Sequence, residues 1–323
     1  MMKFIKILSL FVVFIFFTNC EKEYMKYTEK PEYITQPSAE YKAYFEAYDE
    51  ALSLWDIDYD ELYIPTSYGT AHVVVSGPKN GEPLVLLHGM NASSTMWYPN
   101  AKALAAEYRV FAIDLIIEPG KSFKTAEFEK IDDISLWYQE VFNALQLESY
   151  HLVGASRGGW IAVNLALHNQ EKIKSMVLLS PAQTFIWIRP SVGLLKNIVN
   201  IFSSQEKKTI RSLETMSTNV GNIEKKYLDQ YLIATEKDSI NKFMIKMTPF
   251  SKDDFQKLRM PVLVLIGDDD IINNEKTIRL AKEDIPRGEG EVISNAGHFL
   301  SIDQASTVND RIVSFLIRVD EDQ

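Results

Sequence analysis

A chain of 323 residues, 46% hydrophobic and 24% charged, has the makeup of a globular protein with one large domain or two average ones. That excludes a disordered, collagen-like or coiled-coil chain, and a net charge of −10 gives a surface that repels polyanions, so nucleic acid is not an expected partner. A single cysteine, Cys20, excludes intrachain disulfides and a cysteine-based zinc cluster, and five histidines leave little material for a histidine-rich metal site.

Residues 1–20 place Lys3 and Lys6 ahead of an apolar run from Ile7 to Phe17 that only Ser9 interrupts. The run falls short of the ~20 residues that a membrane-spanning helix needs, and a basic segment before a short apolar one is the pattern of a secretory signal peptide. Cys20 follows that run as the lipidated cysteine of a bacterial lipoprotein does, with Phe17 and Asn19 where smaller residues are usual. The expectation is an exported, extracytoplasmic protein held to a membrane surface by lipid on Cys20. Nothing in the pattern sets an oligomeric state.

Residues 21–59 are charged and tyrosine-rich, and read as a tether followed by a helix from Ala39 to Leu54. Beyond them, apolar β-rich runs alternate with helical patterns. Eight strands are expected, at 61–65, 71–76, 84–88, 109–114, 150–155, 176–180, 262–267 and 291–294. Helices are expected at 95–107, 132–145, 157–168, 275–283 and 305–318. Two hairpin-like strands followed by repeating strand and helix units predict an α/β fold with a mostly parallel sheet covered on both faces, because parallel pairing needs crossover helices. That core takes in residues 60–183 and 255–323. Between them, residues 184–254 carry no convincing strand, only amphipathic helical text, and so long an insertion reads as a helical cap. Phe185, Trp187, Met216 and Met244 are its candidate contacts with substrate.

The segment Gly154-Ala155-Ser156-Arg157-Gly158 fits the G-x-S-x-G turn, in which a serine sits between a strand and a helix. The strand at 150–155 leads into it and a helical pattern follows at once, which makes Ser156 the candidate nucleophile. A serine hydroxyl needs a base. His298, in Asn295-Ala296-Gly297-His298-Phe299 after the last strand, lies at the strand ends where ligands bind in open α/β sheets. His72, His88, His151 and His168 read as core or surface residues, His88 by shaping the turn after its strand. The histidine in turn needs a carboxylate. Gly267-Asp268-Asp269-Asp270 offers three: Asp270 first, as the one that clears the strand end, then Asp268, with Asp269 read as solvated. The strand at 84–88 opens into a loop that can supply one oxyanion donor, the Met90 N–H, with the Arg157 N–H as the other. Asn91 either orients substrate or forms the turn.

The His-Gly turn at 88–89, the elbow at Ser156, the Gly-x-x-Asp at 267–270 and the Gly-His at 297–298 together resemble the α/β-hydrolase superfamily, in particular its cap-bearing esterase and lipase-like members. The resemblance covers residues 60–320 and includes the family's chain order of serine, acid and histidine. The segment DLIIEPGKS at 114–122 is similar to the family's Asp-loop-Gly-x-Ser, with Glu118 and Pro119 in place of the more usual glycine. Dehalogenases and epoxide hydrolases of the superfamily carry aspartate at the elbow, so Ser156 argues against both. The resemblance implies a serine hydrolase, foremost a carboxylesterase of small or medium acyl esters, needing no metal or cofactor. The same machinery serves acyltransferases, perhydrolases, lactonases and C–C hydrolases. A non-catalytic extracellular binding or sensing protein is the reading from another class.

Overall fold

The computed structural model describes residues 23–188, 204–236 and 247–322. The segment 1–20, with Cys20, and the cap candidate Met244 lie outside the described residues.

Among the described residues nine strands form one sheet: β1 (Tyr59–Thr66), β2 (Gly69–Ser76), β3 (Pro83–Leu87), β4 (Arg109–Ile113), β5 (Phe123–Lys124), β6 (Tyr150–Ala155), β7 (Ile173–Leu179), β8 (Val262–Gly267) and β9 (Gly288–Ile293). Their order is β1-β2-β4-β3-β6-β7-β8-β9, with β5 pairing on β2. β1, β2 and β4 pair antiparallel, and every contact from β4 to β9 is parallel. The expected count of eight strands is thus one short. β5 is two exposed residues beside Gly69 and Thr70, too brief for any hydrophobic period to register.

The central strands are apolar on both faces, and alternate residues enter two cores. Val85 and Leu87 of β3, with Leu152 of β6 and Val264 of β8, pack under Trp137, Val141 and Ile161. Those three side chains come from α2 (Asp132–Ala144) and α3 (Arg157–His168). Leu84, Leu86, Val153 and Leu265 face the other way, onto Tyr48 and Trp55, and onto Ile312 and Phe315. Tyr48 belongs to α1 (Ala39–Leu52), whereas Ile312 and Phe315 belong to the last long helix, α7 (Ala305–Glu321). Each such side chain contributes about 1.5–3 kcal/mol on burial. α6 (Glu275–Asp284) covers the first face beside β8 and β9 through Ile278 and Ala281.

Two expectations need correction here. The helix read at 95–107 is broken into a 3-10 turn at Ser94–Trp97 and a short helix at Ala101–Ala105. Pro99 lies between them and can donate no N–H to a continuous helix. The tether is also no loose lead. From Glu23 the chain is in contact with the core: Tyr24 is buried, its ring edge-on to Phe111 at 5.6 Å, and its hydroxyl accepts from Arg109 Nε at 3.3 Å.

Of the insertion at 184–254, the described part holds α4 (Gln205–Met216), α5 (Lys225–Glu236) and a single turn at Lys252–Phe255. α5 packs against α1, with Tyr227 joining Tyr44 and Tyr48 in the second core. The N-terminal helix therefore braces the inserted helices against the sheet.

Candidate active site

Ser156 stands between β6 and α3 with φ 51° and ψ −114°, a backbone that residues other than glycine rarely adopt. The neighbours hold it there. Its N–H donates to Leu179 O at 2.8 Å, and its carbonyl accepts from Gly159 and Ala182 at 3.0 and 3.1 Å. The flanking glycines are needed because backbone crosses at this point. A Cβ on Gly154 would lie 2.3 Å from Gly158 O, and one on Gly158 would lie 2.1 Å from Leu87 O. Here the turn motif is a packing requirement that lifts the serine hydroxyl above the sheet.

The structure brings Ser156, His298 and Asp270 into one line. His298 Nε2 is 2.9 Å from Ser156 Oγ, and His298 Nδ1 is 3.0 Å from Asp270 Oδ1. Burial works to raise the Asp270 carboxyl. The charge of His298 and hydrogen bonds from His298, Ile272 N–H and Asn273 Nδ2 prevail, and hold it at about 2. An ionised Asp270 fixes the proton on Nδ1 and leaves Nε2 to accept from the serine, which is the tautomer a general base needs.

The neighbouring acids have other work. Asp268 accepts from Asn295 N–H at 3.0 Å and Ala296 N–H at 3.1 Å, so it shapes the loop that carries His298, and those two amides, Ala296 first, keep its carboxyl below the ordinary value. Asp269 is exposed. Asp303, which the sequence did not single out, accepts from Gly297 N–H at 2.8 Å and Thr218 N–H at 3.0 Å, and so ties the same loop to the chain after α4.

On the opposite side of Ser156 lies the loop after β3. A Cβ on Gly89 would stand 3.4 Å from that of Ser156, so the backbone of this loop passes directly over the nucleophile. Met90 follows, and among the described residues no backbone carbonyl takes its N–H. Arg157 opens α3, where a helix has N–H groups without intrahelical partners. His88 is buried, donates Nδ1–H to Gly89 O at 2.8 Å and accepts from Leu115 N–H at 2.9 Å on Nε2. Burial pushes its pKa below the ordinary imidazole value. His72 is locked between Asp114 Oδ2 at 2.9 Å and Glu61 Oε2 at 3.0 Å, and His151 between Ser175 and Asp320, so these rings are committed to the framework.

The substrate-contact candidates separate. Phe185 is a correction: it is buried in the first core and stacks on Phe255 at 4.6 Å with an interplanar angle of 11°. An aromatic in an insertion, read from sequence as a pocket wall, is here the insertion's attachment to the core. Trp187 is 59% exposed. Met216 ends α4, and its carbonyl accepts from Phe299 N–H at 3.0 Å, next to His298. Asn91 has φ 55° and donates its N–H to Glu118 Oε2 at 2.8 Å, which serves the turn. Gln230 of α5 had no signal in the sequence. It is buried, accepts from Thr95 Oγ1 at 2.6 Å, and donates to Ser93 Oγ at 2.9 Å and Tyr44 Oη at 3.1 Å. Through it the inserted helices hold the loop beyond Met90. Among the described residues no group of three histidine, cysteine, aspartate or glutamate side chains is placed to hold a metal ion.

Acyl transfer to serine is the chemistry that needs a hydroxyl, an imidazole and an ionised carboxylate in file, so fold and site together define a serine hydrolase of α/β-hydrolase architecture. Comparison with known proteins agrees. The pattern of the alpha/beta hydrolase fold matches residues 82–219. Carboxylesterase YbfK of Bacillus subtilis is 32% identical over 281 residues, spanning 84% of this chain and 93% of that protein. The crystal structure of naproxen esterase (carboxylesterase NP) from Bacillus subtilis superposes with a TM-score of 0.80 at 32% identity, over 87% of this chain and 99% of that one. That of carboxylesterase CesB from the same organism gives 0.77 at 30% identity, over 86% and 99%. The chain belongs to the α/β-hydrolase family and is an ester-cleaving serine hydrolase of the carboxylesterase type.

Proposed function

We propose that the protein is an exported carboxylesterase that cleaves esters of small and medium acyl chains through an acyl-enzyme on Ser156. The observation that carries this reading is the His298 ring, bonded on one side to Ser156 Oγ and on the other to a buried, ionised Asp270. Ser156 Oγ attacks the ester carbonyl as His298 takes its proton. The Met90 and Arg157 N–H groups receive the oxyanion, His298 returns the proton to the leaving alcohol, and water then releases the acid by the same steps. Of the inserted side chains, Met216 has the strongest claim to touch the acyl chain, because its backbone already braces the His298 loop.

A fluorophosphonate probe should label Ser156 of the native enzyme, and a series of p-nitrophenyl esters from acetate to palmitate should give the highest kcat/KM at the short or middle chains. Failure to label Ser156 overturns the mechanism. A preference for the longest chains overturns the substrate range.

Export and anchoring rest on residues 1–20 alone. An alkyne-tagged fatty acid fed to the producing cells should enter the wild-type chain and not Cys20→Ala, and the variant should leave the membrane fraction or persist as a longer precursor. Wild-type protein found soluble, with an N-terminus other than Cys20, replaces the lipoprotein reading with simple secretion.

A further inference from the structure

Glu118 lies in the turn that follows β4. Its carboxylate is buried, and it has two partners from two different loops. Oε2 accepts from Asn91 N–H at 2.8 Å, and Oε1 pairs with Arg157 Nη1, a guanidinium that is itself buried. β4, β3 and β6 are consecutive neighbours in the sheet, so one side chain ties together the loops at the ends of three adjacent strands. Its two partners have a particular place. Asn91 follows Met90 and Arg157 follows Ser156, which makes them the residues that carry or adjoin the two oxyanion donors.

A pair of N–H groups stabilises an oxyanion only when both aim at one point, within about half an ångström. The Arg157 N–H is fixed by α3. The Met90 N–H belongs to a loop whose next residue, Asn91, holds a left-handed backbone at φ 55°. The bond from Asn91 N–H to Glu118 fixes the peptide that joins Met90 to Asn91, and the Arg157 pair fixes Glu118 against the elbow.

We propose that Glu118 is a positioning residue of the oxyanion hole, setting the Met90 N–H against the Arg157 N–H through its two simultaneous contacts. The inference rests on the acyl-enzyme reading above. It predicts an effect on the transition state with little effect on substrate binding.

Two double variants separate this role from that of a plain structural ion pair, because both remove the buried charges together and neither leaves an orphan charge. Glu118→Gln with Arg157→Met keeps an amide oxygen for Asn91 N–H. Glu118→Met with Arg157→Met does not. Turnover is measured per active site, titrated to completion with a fluorophosphonate, so that unfolded molecules drop out of the comparison. The glutamine pair, which keeps the contact to Asn91 and loses the one to Arg157, should lose about tenfold in kcat. The methionine pair should lose roughly 10²-fold in kcat with KM changed less than about threefold, and should bind an alkylboronic acid, whose tetrahedral adduct fills the oxyanion hole, correspondingly more weakly. Equal kcat per active site in the two pairs would overturn the proposal. Glu118→Asp keeps the charge but shortens the reach; a loss of about tenfold in kcat at unchanged KM is expected there, and wild-type kcat would overturn the proposal even if neither double variant folds. Absence of labelling in the wild-type enzyme would instead strike the acyl-enzyme reading.

Discussion

Replacing Ser156 with alanine is expected to lower kcat for ester hydrolysis by roughly 10⁴- to 10⁶-fold, because serine, imidazole and carboxylate act as a unit and removing one removes the covalent route. The fold should be unaffected. Ser156 is held in its strained turn by backbone bonds to Leu179, Gly159 and Ala182, none of which uses the hydroxyl, and alanine keeps the Cβ that lies against Gly89. The melting temperature should therefore stay within a few degrees of wild type while fluorophosphonate labelling disappears. Residual turnover above a tenth of wild type, in protein free of contaminating esterase, would remove Ser156 from the role of nucleophile.

What the sequence revealed about this site was whatever a local constraint had written into neighbouring residues. The elbow is legible because backbone passes where a Cβ on Gly154 or Gly158 would stand and leaves no room for side chains, and the strand ahead of it is legible because burial on both faces demands an unbroken apolar run. The partners of polar groups across the fold leave no such trace. Gln230 looks like any polar residue of an amphipathic helix, yet it is buried against Ser93 and Thr95; Asp303 looks like a helix-starting acid, yet it holds the amide of Gly297. Glu118 could be noticed only as a departure from a glycine. Phe185 was misread for a related reason. Hydrophobic character says that a side chain will be covered, and Phe255, which covers it, is seventy residues away. Likewise, the helix read at 39–54 gave no sign that part of its covering would come from α5.

The three consecutive acids after β8 provide the second large effect, because the geometry gives each a different task. Asp270→Asn should cost about 10³- to 10⁴-fold in kcat, since an amide can present its NH2 to His298 Nδ1, draw the ring into the other tautomer and leave Ser156 Oγ facing an N–H instead of an acceptor. Asp268→Asn should cost far less in kcat and act through the loop, as the amide oxygen can still accept from only part of the Asn295 and Ala296 pair. Asp269→Asn, at an exposed site, should be close to neutral. The pH dependence follows from the same carboxyl. Held at about 2, against an ordinary value of 3.8, Asp270 keeps its charge throughout the mildly acidic range, so its own titration does not limit wild-type activity there. Because the folded value lies below the unfolded one, the stability that Asp270 contributes is complete above roughly pH 4 and is lost as pH falls through about 2. In Asp270→Asn that contribution is absent at every pH, so wild type and variant should converge in stability at the acid end while they differ near neutrality. Should Asp268→Asn prove the most damaging of the three in kcat, the carboxylate that orients His298 during turnover is Asp268, and the line drawn from Ser156 to Asp270 is not the working one.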